Sequence, residues 1–358
     1  MKSNYLKLLT AVSTMSWGLI DVGNEAIARL FFDQTQQELP AFTLAFLRFA
    51  LAVIVLIVLA LPFCNRKSLT LLKLLVVARR SPKVLIKTLI AQQLLYGAVW
   101  GISISFFVMA FQYTYSGEFI FILGLCGFTI FHELAKSDGH FNDRLIAIIS
   151  FNIFIMAFYL FGVSEPLWLA GQSGTLLFSI ALFIITYHFS FEIKRKIVMT
   201  DEELLLAVPQ ASNRQVQWAK MLIQFIAATV VALLFLYIWA LDENSIQLQQ
   251  LFVERENPIN SLDILMTSIY VIVATVLSYF VFNYAVESLN NLSAKNKEVE
   301  DGAKVSAYLA SLEPLTACLI AVYAAGEAKW YLLGSIVAFM LYMAYLNKRN
   351  SVDNPVTA

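Results

Sequence analysis

Ten long apolar runs separated by short polar gaps constrain this chain more than any motif in it. Most runs are about 18–25 residues long, the length that crosses a hydrocarbon core of roughly 30 Å as a helix. A bilayer core offers the backbone no water, so every spanning segment must satisfy its own hydrogen bonds. Continuous apolar runs do so as helices, and their lack of polar/apolar alternation excludes barrel strands. The spans are predicted near residues 7–32, 41–63, 88–112, 116–131, 144–163, 174–191, 218–241, 262–286, 305–325 and 330–346. A composition of 59% hydrophobic and 14% charged residues fits no ordinary soluble domain. The first run is too long, and with Asp21, Glu25 and Arg29 too charged, to read as a cleavable signal peptide.

The basic residues sort into alternate gaps and the span ends beside them. One set comprises Lys2 and Lys7; Arg66, Lys67, Lys73, Arg79, Arg80, Lys83 and Lys87; Lys136 and Arg144; Lys194, Arg195, Lys196, Arg214 and Lys220; Lys295, Lys297 and Lys304; Lys348 and Arg349. These are 21 of the 25 Lys and Arg residues. Arg255 and Lys329 stand in the other gaps, and Arg29 and Arg48 fall within spans. Basic residues near span ends resist translocation, so both termini are expected in the cytoplasm. Adding or losing a span would scramble the alternation, which supports the count of ten.

Residues 68–80 (SLTLLKLLVVARR) are apolar but too short to span, and their basic residues suit a helix lying on anionic lipid. The largest cytoplasmic linker is 192–217, and the largest external one is 242–261. Trp168, Trp218, Trp239 and Trp330 stand near predicted span ends, where indole rings favour the interface. Trp17 and Trp100 fall well inside spans, where they either pack or line a cavity. Cys64, Cys126 and Cys318 are odd in number and lie in or beside spans, so no disulfide framework is implied.

The chain also resembles itself. Phe107-Val-Met-Ala110-Phe-Gln-Tyr113 ends one span, and the next ends in Gly127-Phe-Thr-Ile-Phe-His-Glu133. Later, Val281-Phe-Asn-Tyr-Ala285-Val-Glu287 ends a span, and its successor ends in Ala321-Val-Tyr-Ala-Ala-Gly-Glu327, after a charged insert at 290–304. Five spans per copy is an odd number, so the second copy enters the membrane from the opposite face. Inverted repeats of this kind often serve alternating access around a midplane site.

Ser16-Trp17-Gly18 and Phe46-Leu47-Arg48-Phe49-Ala50 resemble the opening of an EamA-type repeat. Tyr279-Phe-Val-Phe-Asn-Tyr-Ala285, Ser311-Leu-Glu-Pro-Leu-Thr-Ala317 and Gly326-Glu327 resemble its C-terminal counterpart. Across nearly its whole length the chain thus resembles the drug/metabolite transporter superfamily. In the first copy Ile120 stands opposite Pro314, and His132 stands where the family has Gly. The resemblance implies a central cavity lined by spans one, three, six and eight. That arrangement brings Trp17, Asp21, Trp100 and Asn283 near one another.

Charges inside the membrane need a reason, since each costs about 2.5–3.5 kcal/mol near a helix centre on insertion scales. Asp21, Glu25 and Arg29 recur every fourth residue along one side of the first helix. Glu25 and Arg29 are expected to pair, which leaves Asp21 without a basic partner on its own helix. A mid-membrane carboxyl of that kind is protonated or faces water, and either state suits proton coupling or cation recognition. Arg48 is expected to act structurally, by snorkelling outward or by bridging to Glu25 or Asp21. Lining the cavity, it would instead hold a carboxylate bidentately. Glu313 sits beside Pro314, which breaks the helix ladder by freeing the Ala310 carbonyl. That break either aids packing or lines the cavity.

Asn24, Gln92, Gln93, Tyr96, Ser103, Asn152, His188 and Asn283 add uncharged polar groups, most of them expected in interhelical hydrogen bonds. Gly97-Ala-Val-Trp-Gly101 is a close-packing motif. No HExxH, Gly-x-Ser-x-Gly, P-loop or CxxC is present, so no enzyme, metal or cofactor is expected. Nucleic acid is not an expected partner either, because topology accounts for the basic residues.

The sequence therefore predicts an all-α integral membrane protein of a bacterial inner or plasma membrane. Its ten helices form two inverted five-helix repeats, 1–170 and 171–350, followed by a cytoplasmic tail at 351–358. The expected activity is secondary transport of an amino acid or a cationic or zwitterionic metabolite, by proton coupling or exchange. Substrate or coupling residues are Asp21, Glu25, Trp17, Asn24, Trp100, Tyr96, Asn283 and Glu313; Arg29 and Arg48 are structural charges, and Pro314 breaks a helix. Expected partners are the solute and membrane lipids, and a homodimer is compatible. The alternatives are a membrane-embedded enzyme acting on a lipid-linked substrate, or a membrane sensor.

Overall fold

A computed structural model of the chain describes residues 3–17, 42–60, 90–110, 177–190, 192–193, 213–241 and 269–296. It also describes single positions at 146, 149, 150, 153, 305, 309, 316, 337 and 341. Apart from Phe42 and Asn296, every described residue is helical. The helices are α1 (residues 3–17), α2 (Thr43–Ala60), α3 (Gln92–Ala110), α4 (Leu177–Ser190), α5 (Asn213–Leu241) and α6 (Ser278–Lys295), with a π-helical turn, Val271–Leu277, leading into α6.

The helices are inverted relative to those of a soluble protein. On α1 the exposed stripe is Tyr5, Leu8, Val12 and Met15, while Thr10, Ser13 and Thr14 are buried. Their hydroxyls bond carbonyls of the preceding turn: Thr10 to Leu6, Ser13 to Leu9 and Thr10, and Thr14 to Thr10. On α5 the exposed side is Ile226, Val230, Leu233, Leu234, Tyr237 and Ile238, opposite buried Met221, Phe225, Ala228 and Ala232. Apolar outer faces as continuous as these belong against lipid, with small or self-satisfied polar residues between helices. Three segments, Gln92–Ala110, Trp218–Ile238 and Ile272–Asn290, are long and apolar enough to cross a bilayer. The described part of the chain is all-helical, and its three apolar helices are those of a membrane protein.

Helix direction can be read from the contacts. Gly97 approaches Gln224 and Gly101 approaches Ala228, so α3 and α5 run parallel. Leu6 packs with Leu289 while Trp17 meets Phe282, so α1 and α6 run antiparallel. Phe42, before α2, stacks on Phe235 and meets Phe106, both near the ends of α5 and α3, so α2 opposes both. These directions agree with strict alternation of the predicted spans one, two, three, seven and eight. Leu6, Leu289 and Val305 also share one cluster. The start of the first span and the far side of the insert at 290–304 therefore lie at the same end.

Several boundaries differ from expectation. The first helix already includes residue 3, and the second begins at Thr43 rather than 41. Phe42 has a φ of 65°, a left-handed conformation that bulky residues rarely adopt, and it marks the turn into α2. The linker expected at 192–217 gives way to α5 at Asn213. At 29 residues α5 is about 44 Å long, more than a bilayer core needs, because its basic N-terminal turns (Arg214, Lys220) extend the helix. Trp218 is therefore not at a helix end. Its ring meets Phe280 edge-on at 5.9 Å, and its Nε1 is buried. The eighth span, expected to end at 286, continues as helix to Lys295 and absorbs the first part of the insert.

Candidate functional site

α2 and α3 from the first half meet α5 and α6 from the second around a buried aromatic cluster. Trp100 is only 2% exposed and packs against Phe49 (4.9 Å), Phe225 (5.2 Å) and Tyr279 (4.8 Å), with Tyr96 stacked at 6.4 Å. Trp17 reaches the same Tyr279 at 5.5 Å and Phe282 at 4.7 Å. Trp17 and Trp100 therefore converge on Tyr279, and Asn283 lies one turn further along α6, buried. Among the described residues both tryptophans meet other aromatic rings.

Three side-chain hydrogen bonds tie the halves together. Arg48 Nε donates to Thr275 Oγ1 at 3.1 Å, the Tyr96 and Tyr279 hydroxyls share a bond of 2.7 Å, and Gln224 Nε2 donates to Gln93 Oε1. Gln93 and Tyr96 thus behave as the interhelical polar groups expected from the sequence. Ser103 does not. Its hydroxyl bonds the Trp100 carbonyl of its own helix, as Ser105 bonds that of Gly101. Short hydroxyl side chains reach back to the i−3 or i−4 carbonyl more readily than they cross to a neighbour. His188 is buried on α4.

Arg48 does not snorkel. It is 4% exposed, and its guanidinium carbon lies 5.9 Å from the centre of the Phe49 ring. Its Nη1 is buried, and among the described residues no acceptor meets it. Thr275, its partner, belongs to the π-helical turn. There the wider winding lets the Ser278 backbone N–H and hydroxyl both reach the Val273 carbonyl, five residues back. Single π turns inside longer helices occur often at functional sites. Sequence reasoning missed Thr275, Tyr279 and Gln224. The signal for Tyr279 was its place at the head of the family-like Tyr-Phe-Val-Phe-Asn-Tyr-Ala stretch, whereas π winding has no sequence signature.

The Gly97–Gly101 motif forms the closest helix contact. A Cβ built on Gly97 would lie 2.3 Å from the Gln224 carbonyl oxygen, and one on Gly101 would lie 2.7 Å from Ala228 Cα. The approach is backbone to backbone, and it brings the Gln224 side chain within reach of Gln93, one turn before Gly97. Among the described residues no group of His, Cys, Asp and Glu could hold a metal ion. Asp21, Asn24, Glu25, Arg29, Glu313 and Pro314 lie outside the described residues. Comparison of the chain with family models, curated proteins and solved structures finds no match.

Proposed function

We propose that the chain is a secondary active transporter of the drug/metabolite type, ten helices in two inverted repeats that move an amino acid or a cationic or zwitterionic metabolite. The observation that carries this reading is the set of polar bonds between the halves, Arg48–Thr275, Tyr96–Tyr279 and Gln93–Gln224, inside a bundle whose outer faces are apolar. Polar and charged groups in such a bundle are expensive and concentrate where a solute or ion passes. The repeat and the motifs around Leu312-Glu313-Pro314 and Gly326-Glu327 support the same family reading.

In the proposed cycle the solute binds between the halves, which then rock to expose it on the other side. The backbone seam of α3 on α5 offers a contact without intervening side chains about which to pivot. No nucleotide-binding motif occurs in the sequence, so a proton or an exchanged solute supplies the driving force. Asp21 is the proposed coupling carboxyl. Flux measured in proteoliposomes tests it: wild-type uptake should respond to an imposed pH gradient, and Asp21→Asn should abolish that response while facilitated exchange persists. Proton-driven flux that survives the substitution would remove Asp21 from the mechanism.

A further inference from the structure

Arg48 poses a problem that the transport reading leaves open. A buried arginine stays charged, and an ion left unpaired in a low-dielectric interior is strongly unfavourable. Arg48 Nε is committed to Thr275, a neutral hydroxyl that orients the guanidinium without neutralising it. The buried Nη1 has donors to offer and meets no acceptor among the described residues. The surroundings are aromatic: the Phe49 ring lies beside the guanidinium, and Phe49 in turn touches Trp100 and Phe225. Tyr279 lies one turn beyond Thr275 on the same run of helix. A fixed, partly unsatisfied guanidinium fork at the seam between the halves is built to receive a planar anion.

We propose that Arg48, anchored by Thr275 in the π-helical turn, binds the carboxylate of the transported solute, which makes that solute an organic carboxylate of the amino-acid type. The proposal rests on the transport reading and narrows it: a purely cationic metabolite leaves Arg48 uncompensated, whereas a zwitterion supplies the missing anion. An aromatic or aliphatic body would lie against the rings of Phe49, Trp100 and Tyr279.

The test uses the full chain in lipid nanodiscs, with tryptophan fluorescence reporting occupancy near Trp17 and Trp100. Probes are L-phenylalanine, benzoate and succinate, each paired with its carboxamide. At least one carboxylate should bind, with its amide about tenfold weaker or more, the scale of a lost hydrogen bond to a charged group. Arg48→Lys keeps the charge but loses the fork, and should weaken that carboxylate to a similar extent. Thr275→Val should weaken it less, and provides a second reading should the arginine variant misfold. Equal affinity for acid and amide across all three pairs, or unchanged affinity in Arg48→Lys, overturns the proposal. So does an Arg48→Gln variant whose lost thermal stability is restored by adding Asp21→Asn or Glu25→Gln, since that assigns the counter-ion to the chain itself. Proteoliposome flux separates the two ideas. Arg48-dependent binding without flux removes transport and leaves the carboxylate site, whereas flux of a solute lacking a carboxylate, insensitive to Arg48→Lys, removes the site and leaves transport.

Discussion

The Tyr96–Tyr279 bond illustrates how little a single polar contact contributes in a membrane bundle and how much it can still specify. In a dry soluble core, losing one partner of a buried hydrogen bond costs about 1–3 kcal/mol. Between membrane helices the measured average is nearer 0.6 kcal/mol, with a maximum of about 1.7, because helices separated in the bilayer find other partners. The lower figure is the appropriate one for two hydroxyls on spanning helices. A double-mutant cycle of Tyr96→Phe and Tyr279→Phe, followed by unfolding in mixed micelles, should give a coupling energy of about 0.6 kcal/mol. Strictly additive single changes would mean that the bond does not form. The rings themselves matter more than the hydroxyls, because Tyr279 contacts Trp17, Trp100 and Phe225 at once. Phe42 is the opposite case. Its left-handed backbone costs about 1–3 kcal/mol, and stacking on Phe235 and contact with Phe106 hold it there.

Among the elements, α5 is the organiser. It lies against α3 through glycines and against α2 through Phe225 and Phe49, leaving its third side to lipid. Two opposing terms decide the effect of Gly97→Ala. Alanine favours helix over glycine by about 0.8–1.0 kcal/mol. Its methyl would collide with the Gln224 backbone, which cannot rotate aside as a side chain would, and overpacking typically costs about 1–3 kcal/mol. The clash should prevail, so Gly97→Ala lowers the unfolding midpoint. Gly101→Ala should do the same to a smaller degree, since its nearest approach is longer. An unchanged or raised midpoint for Gly97→Ala would show that α3 and α5 are not in backbone contact. The π turn 271–277 matters for a different reason: its altered winding sets the angular position of Thr275 relative to Tyr279, and so of Arg48 relative to the aromatic cluster.

For the whole molecule, the chief expectation is which end faces the cytoplasm. Leu6, Leu289 and Val305 cluster at one end, the end at which the sequence pattern predicts the basic residues. In a cysteine-free background, Ser3→Cys and Asn296→Cys should both react with a membrane-impermeant maleimide in inside-out vesicles and be protected in intact cells. Labelling of either from outside would overturn the assigned orientation, and labelling from opposite sides would overturn the shared end.

Taken alone, the sequence determined that the described segments are helical and apolar enough for a membrane, and that Gly97 and Gly101 mark a close contact. These follow from local physics: hydrocarbon thickness, backbone satisfaction and the room left by a missing side chain all act on contiguous residues. Helix ends were less legible, as α6 and α5 show, because polar turns can continue a helix beyond the bilayer without any apolar signal. Partners were not legible at all. That Gly97 faces Gln224, that Arg48 bonds Thr275 and that Trp17 and Trp100 share Tyr279 depend on residues 127 to 262 positions apart in pairs, whose proximity only the folded bundle creates. Apolar spans look alike to a neighbouring helix, so the tertiary structure alone decided which buried polar groups found one another and which, like Arg48 Nη1, kept a donor to offer.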